Sequence, residues 1–149
     1  MRSLFETSER LEILDRLSVL GAGSARQWGK MDPAQMLCHC SNALESATGD
    51  RPKNQSFLGR ILTPFIRSSI LSEKPFGRNA PTDPTYRVSD PHEFEAERDR
   101  LVGLIDRFVE AGADAAGRQI HPFFGKLTGD EWGQLLYKHL DHHLRQFGV

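Results

Sequence analysis

The sequence predicts an all-α protein, a four-helix bundle with one long crossover. Three observations carry that prediction: apolar residues recur at helical spacing, three segments open with the same helix-start chemistry, and no stretch alternates convincingly as a strand. The first helix is expected at about 4–20, with Ile13, Leu14, Leu17 and Leu20 on one side and Gly21-Ala22-Gly23 ending it. The second, near 32–48, opens on Asp32-Pro33-Ala34-Gln35, an acceptor at the N-cap, proline at the first helical position and Gln at the third, and closes at Gly49. Asp90-Pro91-His92-Glu93 repeats this pattern and predicts a third helix over 91–111. Thr128-Gly129-Asp130-Glu131 is a capping box and predicts the fourth over 129–147, closed by Gly148. Tyr86-Arg87-Val88 is too short to count as a strand.

Between Gly49 and Ser89 lies a long connection holding Pro52, Pro64, Pro75, Pro81 and Pro84. A short amphipathic helix is expected from Phe57 to Leu71, with a break or kink at Pro64. A link this long lets the second and third helices run parallel, giving an up-down-down-up bundle with antiparallel hairpins at either side. The link is basic, with Arg51, Lys53, Arg60, Arg67, Lys74, Arg78 and Arg87 against Asp50, Glu73 and Asp83. It reads either as a solvated crossover or as a lid over an anionic substrate group.

The 149 residues suit one domain, residues 1–149, without internal repeats. With 38% hydrophobic and 26% charged residues and a net charge of −1, the composition is that of an ordinary folded protein, with no electrostatic case for nucleic acid or an anionic membrane as partner. No apolar run is long enough to span a bilayer, and the start lacks a signal peptide's apolar core, so a cytoplasmic location is expected. Cys38 and Cys40 suit a reducing compartment: neighbours at that helical spacing make poor disulfide geometry.

Six histidines are present, three of them within residues 139–143. On a helical wheel His139 and His143 fall inside the apolar stripe of Trp132, Leu136, Leu140 and Phe147, while Lys138, Asp141 and Arg145 occupy the opposite face. Two imidazoles one turn apart in a core stripe are costly to bury and hard to satisfy together by hydrogen bonds. A divalent metal answers the difficulty, although a satisfied core pair is the simpler alternative. A third ligand must come from another helix. On the second, Met36, Leu37, Cys40, Ala43, Leu44 and Ala47 form the stripe and His39 lies just outside its edge, as a ligand or as a partly exposed histidine. Cys40 reads as a small core residue, with ligation a second choice, and Cys38 points nearly the opposite way. His142 suggests contacts beside the site or at an interface, His121 either loop packing or a group near the mouth of the site, and His92 a surface role in the first turn of its helix. Glu45 and Asp141 are not placed to act as a general base.

Trp28-Gly29-Lys30-Met31 leading into Met36-Leu37-Cys38-His39-Cys40, then His121-Pro122-Phe123-Phe124-Gly125-Lys126-Leu127-Thr128, Glu131-Trp132-Gly133 and finally the run His139 to Gly148, give the chain a resemblance to the DinB/YfiT-like superfamily of four-helix-bundle metalloenzymes. It is most similar to a DinB-like branch described only as a domain of unknown function. The resemblance implies a metal triad of His39, His139 and His143, and zinc or nickel as the metal. It implies a homodimer and a small-molecule substrate, and, from members that are thiol-dependent transferases or isomerases, a low-molecular-weight thiol and an S-transferase. A metal-dependent hydrolase is the alternative within the enzymes; a non-catalytic metal-binding or dimerising bundle is the alternative outside them.

Overall fold

A computed structural model describes residues 2–72, 74–78 and 84–149. Five helices dominate: α1 (Thr7–Val19), α2 (Pro33–Thr48), α3 (Phe57–Ile70), α4 (Phe94–Ala116) and α5 (Gly129–Gln146). A single 3-10 turn spans Pro84–Tyr86. Glu73, Pro81 and Asp83 of the link lie outside the described residues. Among those described, no helix is long and apolar enough to cross a membrane.

Both capping boxes form as expected. Asp32 accepts from the backbone of Gln35, whose side chain returns to the backbone of Asp32, and Thr128 and Glu131 do the same for α5. Each satisfies two amide donors that a helix start leaves unpaired. The third start differs from expectation. α4 begins at Phe94 behind an extended Glu93 with no side-chain cap. Gln35 explains the delay, because its amide donates to the carbonyl oxygens of Ser89 (3.0 Å) and Asp90 (3.3 Å) and holds that strand of chain against the start of α2. The expected end at 111 coincides with a break: Gly112 takes φ 81° and ψ 170°, and one more turn carries the helix to Ala116. A second difference is a small antiparallel ribbon, β1 (Ile120–His121) with β2 (Gly125–Lys126), pairing Ile120 with Lys126 and His121 with Gly125. Two residues per strand leave no periodicity to read in a sequence.

α2 packs most extensively against α4 and also meets α5, while α5 meets α1 and α4. Leu37, Leu44, Leu101, Ile105, Phe108, Trp132, Leu136 and Leu140 fill the shared core, with Leu4, Ile13 and Leu17 closing it from the N-terminal side. Thirteen of the sixteen residues of α2 are buried, so it carries no solvent face. The wheel reading of α2 as a helix with one apolar stripe is therefore corrected: α4, α5 and the turn at Tyr86 cover it from several directions, and His39 at the stripe's edge is only 2% exposed.

Asp141 is likewise not on a solvent face. It is 7% exposed and accepts from Arg16 of α1 (2.9 Å) and from Arg145 (3.0 Å), while the second Arg16 amine donates to the carbonyls of Asp141 (3.3 Å) and Val149 (2.9 Å). This network ties α1 to the outer side of α5. Removing one member of a largely buried pair strands the other's charge. Asp141→Asn should therefore cost about 1–3 kcal/mol in urea unfolding; an unchanged midpoint would show that the network holds nothing together.

Candidate metal centre

α2 and α5 bring three rings together. The ring centroids of His39, His139 and His143 stand 4.8 Å (39–139), 4.7 Å (39–143) and 4.7 Å (139–143) apart, a nearly equilateral triangle. One nitrogen from each lies within 4.8 Å of the others. His39 and His143 are buried, and His139 is half-buried with the rings of both packed against it.

The protons on two of these rings are fixed by their partners. His39 Nδ1 lies 2.8 Å from the carbonyl oxygen of Tyr86, which can only accept, so Nδ1 carries the hydrogen and Nε2 is bare. His143 Nδ1 lies 2.9 Å from Gln146 Oε1. The amide is oriented by its other end, since Gln146 Nε2 donates to the carbonyl of Trp28 (2.8 Å), and so His143 also holds its hydrogen on Nδ1. His39 Nε2 meets His139 Nε2 at 2.9 Å, where His139 supplies the N–H when no cation is present. His39 Nε2 thus offers its lone pair to His139, His143 Nε2 is left bare, and the third ring can release its hydrogen to join them. That donor set suits a divalent cation: imidazole is a preferred ligand of zinc and nickel, and a ligating histidine typically gives its other N–H to a carbonyl or similar acceptor.

The electrostatics agree. Burial pushes His39 below the ordinary histidine range, opposed by its bond to Tyr86. Burial, reinforced by neighbouring histidines, takes His139 well below it. His143 falls to about 3, through burial first and His39 second. All three rings are neutral at pH 7, the form that ligates.

The remaining histidines have other places. His121 sits on β1, 9% exposed, and its Nδ1 accepts from the backbone amides of Phe123 (3.0 Å) and Phe124 (3.1 Å). It therefore carries its hydrogen on Nε2, the reverse of His39 and His143, and presents a donor rather than a ligand. Its ring stacks on Phe124 at 4.6 Å and lies 5.2 Å from Trp132, the contacts of a loop packed on the start of α5. His142 is half-buried between Trp28 (5.7 Å) and Phe76 (5.9 Å), next to His143 (5.1 Å). His92 precedes its helix instead of opening it and bonds Glu97 at 3.0 Å. Glu45 is paired with Arg100 (2.6 Å), away from the triad. Cys40 is a fully enclosed core thiol, pushed up by burial. Cys38 is 5% exposed on the α4 side. Cys38, His92 and Glu97 form a second group of possible donors, but Arg100 lies 2.9 Å from Glu97 and 3.8 Å from the Cys38 sulfur, so a guanidinium already serves as the cation there.

Two supports of the triad were not foreseen: the Tyr86 carbonyl and the Gln146 amide. The signal for the second lies in Trp28-Gly29. Gly29 has φ 81°, and a Cβ there would sit 2.2 Å from Gln146 Nε2. Glycine lets the loop reach the amide that orients His143.

A family model covering residues 2–148 matches this arrangement of sequence. The chain belongs to a family described as a protein of unknown function (DUF1569). No curated protein and no solved structure matches it.

Two outcomes follow for this DUF1569 chain. Gly29→Ala combines left-handed strain with a collision at Gln146 and should cost about 1–3 kcal/mol; stability within about 0.3 kcal/mol of the parent would refute the close approach. The folded protein resists protonating the triad while the unfolded chain accepts protons near 6.5. Lowering pH below about 6.5 therefore favours unfolding, at up to ~1.4 kcal/mol per pH unit for each ring. Chelator-treated protein should lose stability steadily from about pH 6.5 to 5, and a flat profile would mean that the rings are open to protons.

Proposed function

We propose that this protein is a divalent-metal-dependent enzyme of the DinB/YfiT-like superfamily, with His39, His139 and His143 as ligands and thiol-dependent S-transfer as its reaction. The observation that carries the metal reading is the meeting of three rings of which two have fixed tautomers: Tyr86 and Gln146 hold hydrogens on Nδ1 of His39 and His143, leaving Nε2 of each ring bare, with that of His39 facing His139. The four-helix reading takes α1, α2, α4 and α5 as an up-down-down-up bundle. Its support is the span between α2 and α4, long enough to cross the length of a bundle and occupied by α3 and the Pro84–Tyr86 turn.

A zinc or nickel ion on three neutral imidazoles would keep its full charge and an open position, supplying Lewis acidity toward a thiol or a water. The chain's own contribution is positioning and exclusion of water. Capping boxes fix the starts of both ligand-bearing helices. Tyr86 and Gln146 aim two rings. Trp28, Phe76 and His142 make an aromatic border beside His143, suited to the apolar part of a small substrate. His121, with its hydrogen on Nε2 and its ring 6.3 Å from that of Tyr86, is a further donor that we set beside the site. The choice of S-transfer over hydrolysis rests on the superfamily resemblance, and a small-molecule thiol is the expected co-substrate.

Elemental analysis of protein purified without added metal should find about one zinc or nickel per chain. His39→Ala, His139→Ala and His143→Ala should each abolish that stoichiometry, and Gln146→Ala should weaken affinity about 10–100-fold while leaving the ligands in place. Metal-free parent protein, or unchanged binding in the histidine variants, would overturn the site. With the metal established, turnover of electrophiles only with added thiol supports transfer. Turnover with water alone points to hydrolysis, and a metal whose removal melts the protein without any detectable turnover points to a structural ion.

A further inference from the structure

We infer that the outward face of α3 is a membrane-docking surface, laying the helix along the headgroup layer of an anionic bilayer. The side of α3 that meets the body is small and polar. Thr63 donates to the carbonyl of Phe123 (3.0 Å), Gln55 just before the helix donates to the same oxygen (2.9 Å), and a Cβ at Gly59 would lie 2.2 Å from it. Arg67 holds the far end, donating to Glu131 (2.6 Å) and to the carbonyl of Lys126 (3.1 Å). These ties fix the rotation of the helix and turn its large apolar side chains outward. Phe57 and Phe65 are each 79% exposed, with Leu58, Ile61 and Leu62 exposed between them. The positions i, i+1, i+4, i+5 and i+8 make one stripe along the helix, whereas Leu11 and Val19 stand exposed elsewhere, on α1.

Charge chooses the occupant. The net charge of −1 belongs to the whole chain and hides a local surplus: the link around α3 holds seven Lys and Arg against three Asp and Glu. The cations bracket the stripe. Arg51 and Lys53 precede the helix, Arg60 lies within it, and Lys74 and Arg78 follow within eight residues of its end. Arg67 is engaged by Glu131, and Arg51 lies 3.7 Å from Glu45. Arg60, Lys74 and Arg78 are exposed, and among the described residues no carboxylate pairs with them. Lys53 lies over the ring of Tyr86 (5.9 Å) and Arg78 over that of Trp28 (4.6 Å), contacts that place a cation without neutralising it. Arg60 stands about 60° round the helix from Phe57, at the border of the stripe, where its stem lies along apolar surface while its head reaches a lipid phosphate. Apolar side chains at the acyl boundary with cations beside them is the chemistry of a helix lying on anionic lipid. At 14 residues α3 lies on such a surface and does not cross it. A second copy suits the face less well. Antiparallel pairing centred on Ile61 would set Arg60 near its own counterpart and bring two basic links together, and like charges so placed oppose association.

Flotation of the full chain with lipid vesicles tests this. Vesicles of mixed phosphatidylglycerol and phosphatidylcholine should bind it about tenfold or more tightly than pure phosphatidylcholine, and about 0.5 M NaCl should remove most of that difference. The paired substitutions Phe57→Asp and Phe65→Asp should cut binding about tenfold or more with unchanged circular dichroism, since both side chains face solvent. Arg60→Gln should weaken binding to the anionic vesicles about fivefold and leave binding to neutral ones unchanged. Equal uptake by neutral and anionic vesicles would overturn the inference. Uptake that survives the paired aspartates would overturn it too, because another surface would then be binding. So would no uptake by either vesicle, whether the protein sediments as a monomer or as a dimer that the aspartates dissociate; such a dimer would assign the face to a second copy.

Discussion

Two hydrogen bonds govern the character of this protein: His39 Nδ1–H to the Tyr86 carbonyl and His143 Nδ1–H to the Gln146 side chain. Each uses an acceptor whose identity leaves no choice of proton position. A carbonyl oxygen cannot donate, and the Gln146 amide is turned by its bond to Trp28. The consequence is a pair of rings that cannot satisfy each other. Their Nε2 atoms are both acceptors, and the partner that meets the one on His39 is His139, a ring free to change tautomer. An apolar side chain in place of Gln146 would fill space as well but would release the His143 ring, whereas the Tyr86 acceptor is backbone and holds His39 whatever side chain stands there.

Burial makes that arrangement matter. Three histidines in water would titrate near 6.5 and bind a metal only in competition with protons; here enclosure lowers all three, His139 and His143 the most. The enclosure comes from α2, which is covered nearly all round. It also comes from distant parts of the chain: the loop at Trp28-Gly29 reaches Gln146, and the turn at Tyr86 is held to α2 by its hydroxyl bond to Ser46 (2.9 Å) as well as by the His39 ring. The triad is thus set by α2 and α5 but tuned by two connections, one before α2 and one before α4.

What was legible in the sequence follows from locality. Capping boxes at Asp32 and Thr128, the Gly49 stop and the helix inside the link all depend on residues within a few positions, and each could be read. So could the placement of His139 and His143 on one buried face of α5. His39 could not be placed by periodicity, because a helix covered from several sides has no stripe to mark its inside; the resemblance to a family motif supplied it instead. The wheel also failed for Asp141, where a polar residue on the supposed solvent face is matched by Arg16, 125 positions earlier. Tyr86, Gln146 and the start of α4 share that reason: Gln35, 54 residues before Ser89, decides where α4 begins. Long-range hydrogen bonds leave no trace in local pattern.

The proton positions on the imidazoles offer the most direct test. Nitrogen-15 NMR of the chelated protein at neutral pH should show His39 and His143 as neutral rings protonated at Nδ1 with bare Nε2, the less common form in solution, and His121 as the reverse. Nε2-protonated or doubly protonated rings at positions 39 and 143 would contradict the account, because neither ring would then have a bare Nε2 to offer a cation.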